Sequence, residues 1–113
     1  MDAKLYRDTL REYQRAYAST LDAKTASLKL HEAALAAIRA ASATSHPWRR
    51  ARHEHRALRI LNALSRWLRS AARHPDADTA LCDALRIAYA KASLHLCRGE
   101  HEAAEGWIDR ILR

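Results

Sequence analysis

Pro47-Trp-Arg-Arg-Ala-Arg-His-Glu-His-Arg-Ala-Leu-Arg-Ile-Leu-Asn-Ala-Leu-Ser-Arg-Trp-Leu-Arg-Ser-Ala-Ala-Arg-His74 contains no glycine and only its leading proline. Proline is tolerated in the first turn of a helix, where its missing N–H has no intrahelical partner to lose. The spacing predicts one long helix over 47–74. Ala51, Leu58, Leu61, Leu68 and Ala72 form an apolar stripe that Ile60, Leu64 and Trp67 widen, so one side is expected to be covered by other helices. The opposite side is arginine: Arg49, Arg52, Arg56, Arg59, Arg66 and Arg73 form a row at helical spacing. Eight arginines against the single acid Glu54 give this stretch the +7 of the entire chain, so everything outside it sums to zero.

The remaining composition points the same way. A chain of 113 residues has room for one modest core, and residues 1–113 are read as a single domain. It has 25 alanines, no valine or phenylalanine, two glycines and two prolines. Strong helix formers dominate and strand formers are scarce, which predicts an all-α chain, an antiparallel four- to five-helix bundle. Alanine lets helices approach closely but buries little area per contact, so modest stability is expected. There is no apolar run of about 18 residues, and the first residues lack a signal-peptide pattern, so the expectation is a cytoplasmic protein without membrane contact. Cys82 and Cys97 lie about 22 Å apart along one predicted helix and cannot pair within it; they read as buried, reduced thiols.

Along the chain, Tyr6, Leu10, Tyr13 and Tyr17 give residues 2–18 an aromatic seam at helical spacing. Ser19-Thr20-Leu21-Asp22 resembles a capping box and predicts a helix break. The next helix is expected over 20–44, with Leu21, Leu28, Leu35 and Ile38 on one line and Leu30, Ala34, Ala37 and Ala41 beside it. Such a broad apolar arc suits a central helix. Residues 42–47 form a linker with Ser45 or His46 as cap. Pro75 ends the arginine-rich helix, and the neighbouring aspartates favour a new start, giving a helix over 77–98 with Leu81, Leu85, Ala88, Ala92 and Leu96 inside. Gly99 is a C-terminal cap position, and a last helix over 100–112 turns Ala104, Trp107, Ile108, Ile111 and Leu112 inward.

Seven histidines invite a metal or phosphotransfer reading. His53 and His55, two apart on a helix, point about 200° from each other and cannot share an ion. His95, Cys97 and His101 straddle Gly99 and match no zinc spacing, while His31 lacks the small neighbours that let a phosphotransfer partner approach. No phosphate loop and no nucleophile paired with a base occur, so neither enzyme activity, a metal nor another cofactor is expected. The arginine row is the strongest chemical signal. It fits a solvated face, pairing with Glu100, Glu102, Glu105 and Asp109, an acidic partner, or nucleic acid with Trp48 stacked on a base. The Tyr6, Tyr13 and Tyr17 seam fits either core packing or a helix docked in a groove, and a homodimer through the Trp and Tyr side chains is a further option.

Leu30-His31-Glu32-Ala33-Ala34-Leu35-Ala36-Ala37-Ile38 resembles the Leu-Tyr-Asp-Gly-Ala-Leu stretch of the flagellin-export chaperones, the FliS family, and Tyr17-Ala18-Ser19-Thr20 stands where that family starts a helix. Ile60-Leu61-Asn62-Ala63-Leu64 and Leu94-His95-Leu96-Cys97-Arg98-Gly99-Glu100 are similar to later segments of the same family. The resemblance implies a small cytosolic chaperone, or a divergent type III secretion chaperone, that wraps a disordered amphipathic client such as flagellin or another secreted subunit. By position it implies a client groove at Leu28, Leu35, Ile38, Leu61, Leu85 and Ile108. It also implies a displaceable segment over 1–18 whose Tyr6, Tyr13 and Tyr17 occupy that groove in the absence of client. A protein client, nucleic acid as the alternative partner, and a monomer or homodimer complete the expectations.

Overall fold

The computed structural model describes residues 23–113. Four helices follow in order: α1, Ala23–Ala43; α2, Pro47–Ala72; α3, Thr79–Cys97; and α4, His101–Leu112. No strand occurs among the described residues, and the architecture is all-helical and fits a bundle. The expected break near residue 20 and the seam of Tyr6, Tyr13 and Tyr17 lie outside the described residues. Backbone contacts divide the chain into two compact units, Met1–Leu30 and His31–Arg113, with the boundary inside α1. In the first unit, Leu30 and Ser27 are buried and Leu28 is exposed.

Within the second unit the helix limits follow from local chemistry. His46 is extended, at φ −76° and ψ 118°, as a residue preceding proline must be, and α2 begins directly on Pro47. His46 provides no side-chain cap; Arg50 instead donates from Nε and Nη2 to the Thr44 carbonyl at 3.3 and 3.1 Å, tying the linker to the first turn of α2. The far end closes two residues earlier than the expected His74. The N–H groups of Arg73 and His74 bond to Ser70 and Ala71, tightening the last turn ahead of Pro75, which has no N–H to continue the ladder. The next helix starts at Thr79 rather than 77 because Asp78 is the cap: its Oδ1 accepts from the Leu81 N–H at 3.1 Å. Gly99 takes φ +74°, the left-handed conformation that ends α3 and sends the chain into α4.

α3 packs against both α2 and α4. The buried line of α2 is Ala57, Ile60, Leu61, Leu64 and Leu68, rotated from the stripe expected from sequence: Ala51 and Ala72 are exposed, and Leu58 and Trp67 are half-buried. Ile60, Leu61, Leu64 and Leu68 of the expected set are inside, joined by Ala57, which falls between Ile60 and Leu61 around the helix axis, while the row through Ala51, Leu58 and Ala72 falls to the flank. From the expected set, α3 buries Ala88, Ala92 and Leu96. Leu85 is half-buried and Leu81, in the first turn, is 55% exposed, while Tyr89 enters the core instead. α4 buries Ala104 and Ile108, leaving Trp107, Ile111 and Leu112 half-buried, with the Arg110 guanidinium 5.1 Å from the Trp107 ring centre. From α1, His31, Ala34, Leu35, Ala37, Ile38 and Ala41 are buried.

A polar pair is buried in the core. His31 of α1, 2% exposed, shares a 2.6 Å hydrogen bond with the Tyr89 hydroxyl of α3, their rings 5.4 Å apart. Both polar side chains can therefore be buried while hydrogen-bonded. At the surface, Arg39 of α1 pairs with Glu105 of α4 at 2.7 Å. The thiols differ from the expectation of burial: Cys82 is half-buried, and Cys97, at the end of α3, is exposed; both are free.

Candidate functional site

The outward face of α2 lies opposite its buried line. Stepping by three, four and seven residues, it carries Trp48, Arg52, Arg59, Arg66 and Arg73, with Arg49, His55, Asn62, Arg69 and Ser70 beside them, and every one of these is exposed. Arg52, Arg59, Arg66 and Arg73 follow at seven-residue intervals, about 10.5 Å of helical rise each. Arg56 is half-buried and already has an interaction within the molecule. The face contains no acidic side chain and no lysine. Trp48 is 82% exposed, the most open large apolar side chain among the described residues.

Among the described residues, no acid pairs with these exposed arginines. Glu105 pairs with Arg39, Asp109 with Arg113 at 2.7 Å and Glu100 with His95 at 3.2 Å, while Glu102 lies exposed with no ion pair among the described residues. The expected pairing of these four acids with the arginine row is thus absent. Glu54, the one acid of α2, points to the other side and accepts a 2.6 Å hydrogen bond from His101 Nε2. Among the described residues, Arg49, Arg52, Arg59, Arg66, Arg69 and Arg73 form no ion pair. The result is a strip of guanidinium groups about 37 Å long, from Trp48 to Arg73, facing solvent.

The residues proposed for a client groove do not come together at an open surface. Leu35, Ile38, Leu61 and Ile108 are buried in the core, Leu85 is half-buried, and Leu28, exposed, belongs to the first unit. A ligand reaching the four buried residues would have to displace part of the helical packing. An open cleft of about 400 Å³ exists instead between α2 and α3. Asn62, Ser65, Leu68, Arg69 and Ala72 line one wall, and Cys82, Asp83, Arg86, Tyr89, Ala90 and Ser93 the other. Sequence reasoning missed it, although the signal was present. Ser65, Ala72, Ala90 and Ser93 are small where two helices face each other, and small facing side chains leave a gap that a Leu or Ile would fill.

The histidines do not assemble into a centre. His101 bonds Glu54, His95 bonds Glu100, His55 is exposed, and His53 holds a buried Nδ1 with no hydrogen-bond partner. Among the described residues no group of three or more His, Cys, Asp or Glu side chains is placed to hold a metal ion, and no helix is long and apolar enough to cross a membrane. Compared with known proteins, the chain matches no family model, no curated protein and no solved structure.

Proposed function

We propose that the chain is a non-catalytic binding module whose working surface is the outward face of α2, and that this surface takes the phosphate backbone of a nucleic acid. One observation carries the reading: six exposed arginines along a single helix face have no counter-ion among the described residues. Like charges three, four and seven residues apart repel one another, so the row disfavours the helix that bears it and gains when a polyanion neutralises it. Arginine suits this partner because its planar fork can donate two parallel hydrogen bonds to a phosphate. Fluorescence titration of a labelled duplex and a labelled single strand at several salt concentrations tests it. Binding should weaken steeply as salt rises, and an absence of binding at low salt eliminates the reading.

A second reading rests on the resemblance to flagellin-export chaperones and is favoured by the cleft between α2 and α3. In it, the protein works in the cytoplasm as an antiparallel four- to five-helix bundle, and the cleft seats one apolar side of an amphipathic client segment from a secreted subunit. Ala90→Trp, filling the cleft from an exposed wall position, should abolish binding of such a peptide in calorimetry. A peptide that binds the variant as well as the parent sinks this reading.

A further inference from the structure

Resting on the nucleic-acid reading of α2, we infer that the ligand is single-stranded, with an unpaired base stacked on Trp48 and the backbone following the arginine row.

Charge alone accounts for the arginines but not for the indole. Trp48 is 82% exposed on the same face as Arg52, Arg59, Arg66 and Arg73, at the end where the row begins. A large apolar ring open to water beside a strip of cations offers two kinds of contact to one ligand, a flat apolar face and an anionic chain. Unpaired nucleotides supply both, because every base exposes a π-face once it leaves the duplex. In a duplex the bases are stacked on each other, and an indole standing on the outside of a helix meets only sugar and phosphate.

The position of Trp48 is also held in advance. Pro47 fixes its own φ, His46 is extended ahead of it, and Arg50 fastens the first turn to the Thr44 carbonyl. The backbone beneath the indole is therefore ordered before any ligand arrives, which lowers the entropy lost on stacking. Arg49, beside it in sequence and exposed, can hold the phosphate next to a stacked base.

A second copy of the chain is a poor occupant of this face. A two-fold dimer sets the same surface against itself, which here would oppose two rows of arginine with no acid between them. The complementary charge must come from the ligand.

The test uses the full chain with a 15-nucleotide labelled deoxythymidine strand, the corresponding thymidine–adenine duplex, and poly-glutamate of equal length. Trp48→Ala should lower affinity for the single strand about tenfold and leave its salt slope unchanged, because one stacking contact is lost and no phosphate contact. Affinity for the duplex should stay the same, and Trp48→Phe should restore most of the loss. Tryptophan emission of the parent should be quenched on saturation with the strand, and that part of the quench should vanish in Trp48→Ala. Because the residue faces solvent, the variant should melt like the parent, which circular dichroism checks. Equal losses on strand and duplex, no loss on either, or poly-glutamate competing as well as the strand would each overturn the stacking inference while leaving a salt-sensitive anion site in place. Absence of all nucleic-acid binding by the parent at low salt would remove the wider reading and this one together.

Discussion

His31 and Tyr89 stand 58 positions apart in sequence and share a hydrogen bond inside the core. Tyr89→Phe keeps the ring and its packing but takes the hydroxyl from a histidine that is 2% exposed. Chemical denaturation should show a loss of about 1–3 kcal/mol, since a buried polar group stripped of a hydrogen bond is not repaid by water. The two glycines give opposite expectations. Gly99 sits at φ +74°, and although a methyl group there would meet nothing within 4 Å, an L side chain is strained in that conformation; Gly99→Ala should destabilise by about 1 kcal/mol. Gly106 lies inside α4, also with open space around its Cα, and no positive φ. There a methyl group reduces the freedom of the unfolded chain and improves helix propensity, so Gly106→Ala should stabilise by about 0.5–1 kcal/mol in the same assay.

α2 was the most legible element in the sequence and also the one whose orientation was least so. Its start at Pro47 and its basic side follow directly from residue types, because proline and a run of arginines each permit few alternatives. The inward line was harder to place. Leu58 and Leu61 are equal candidates by hydrophobicity, and only packing against neighbours decides that Ala57 and Ile60 go inside while Leu58 stays half-buried. Tyr89 was missed for a related reason: a tyrosine beside Ala88 reads as a boundary residue until its partner, His31, is known. The arginine row itself makes a measurable claim. Arg59→Gln together with Arg66→Gln should reduce the logarithmic salt dependence of nucleic-acid binding by about 1.4–1.8, with affinity falling similarly for every sequence tested. Because both side chains are exposed and form no ion pair among the described residues, the double variant should melt no lower than the parent.

Taken whole, the chain joins an alanine-rich interior to a surface whose excess charge is confined to one stretch. The net +7 of the molecule equals that of residues 47–74 alone. Repulsion within that stretch opposes the folded state and is screened by salt, so raising sodium chloride from about 0.02 to 0.5 M should lift the thermal midpoint by a few degrees, in contrast to a fold held by surface ion pairs. The surface pair Arg39–Glu105, more than half exposed at its arginine, is too weak to reverse that trend. The helical class was legible from composition because almost no residue favours a strand. The cleft between α2 and α3 was not, since a gap depends on how two helices face each other and not on either one alone.

Residues 47–74 carry a charge equal to the whole +7 of the chain, so a negatively charged surface attracts the molecule through α2. Such a body does not meet a charged plane at random. On a carboxylated sensor chip or a cation-exchange resin it should settle arginine side down, hiding the surface of interest and presenting the neutral remainder to the flowing analyte. Immobilised formats would then report an inert protein, whereas measurements with both components free in solution would not.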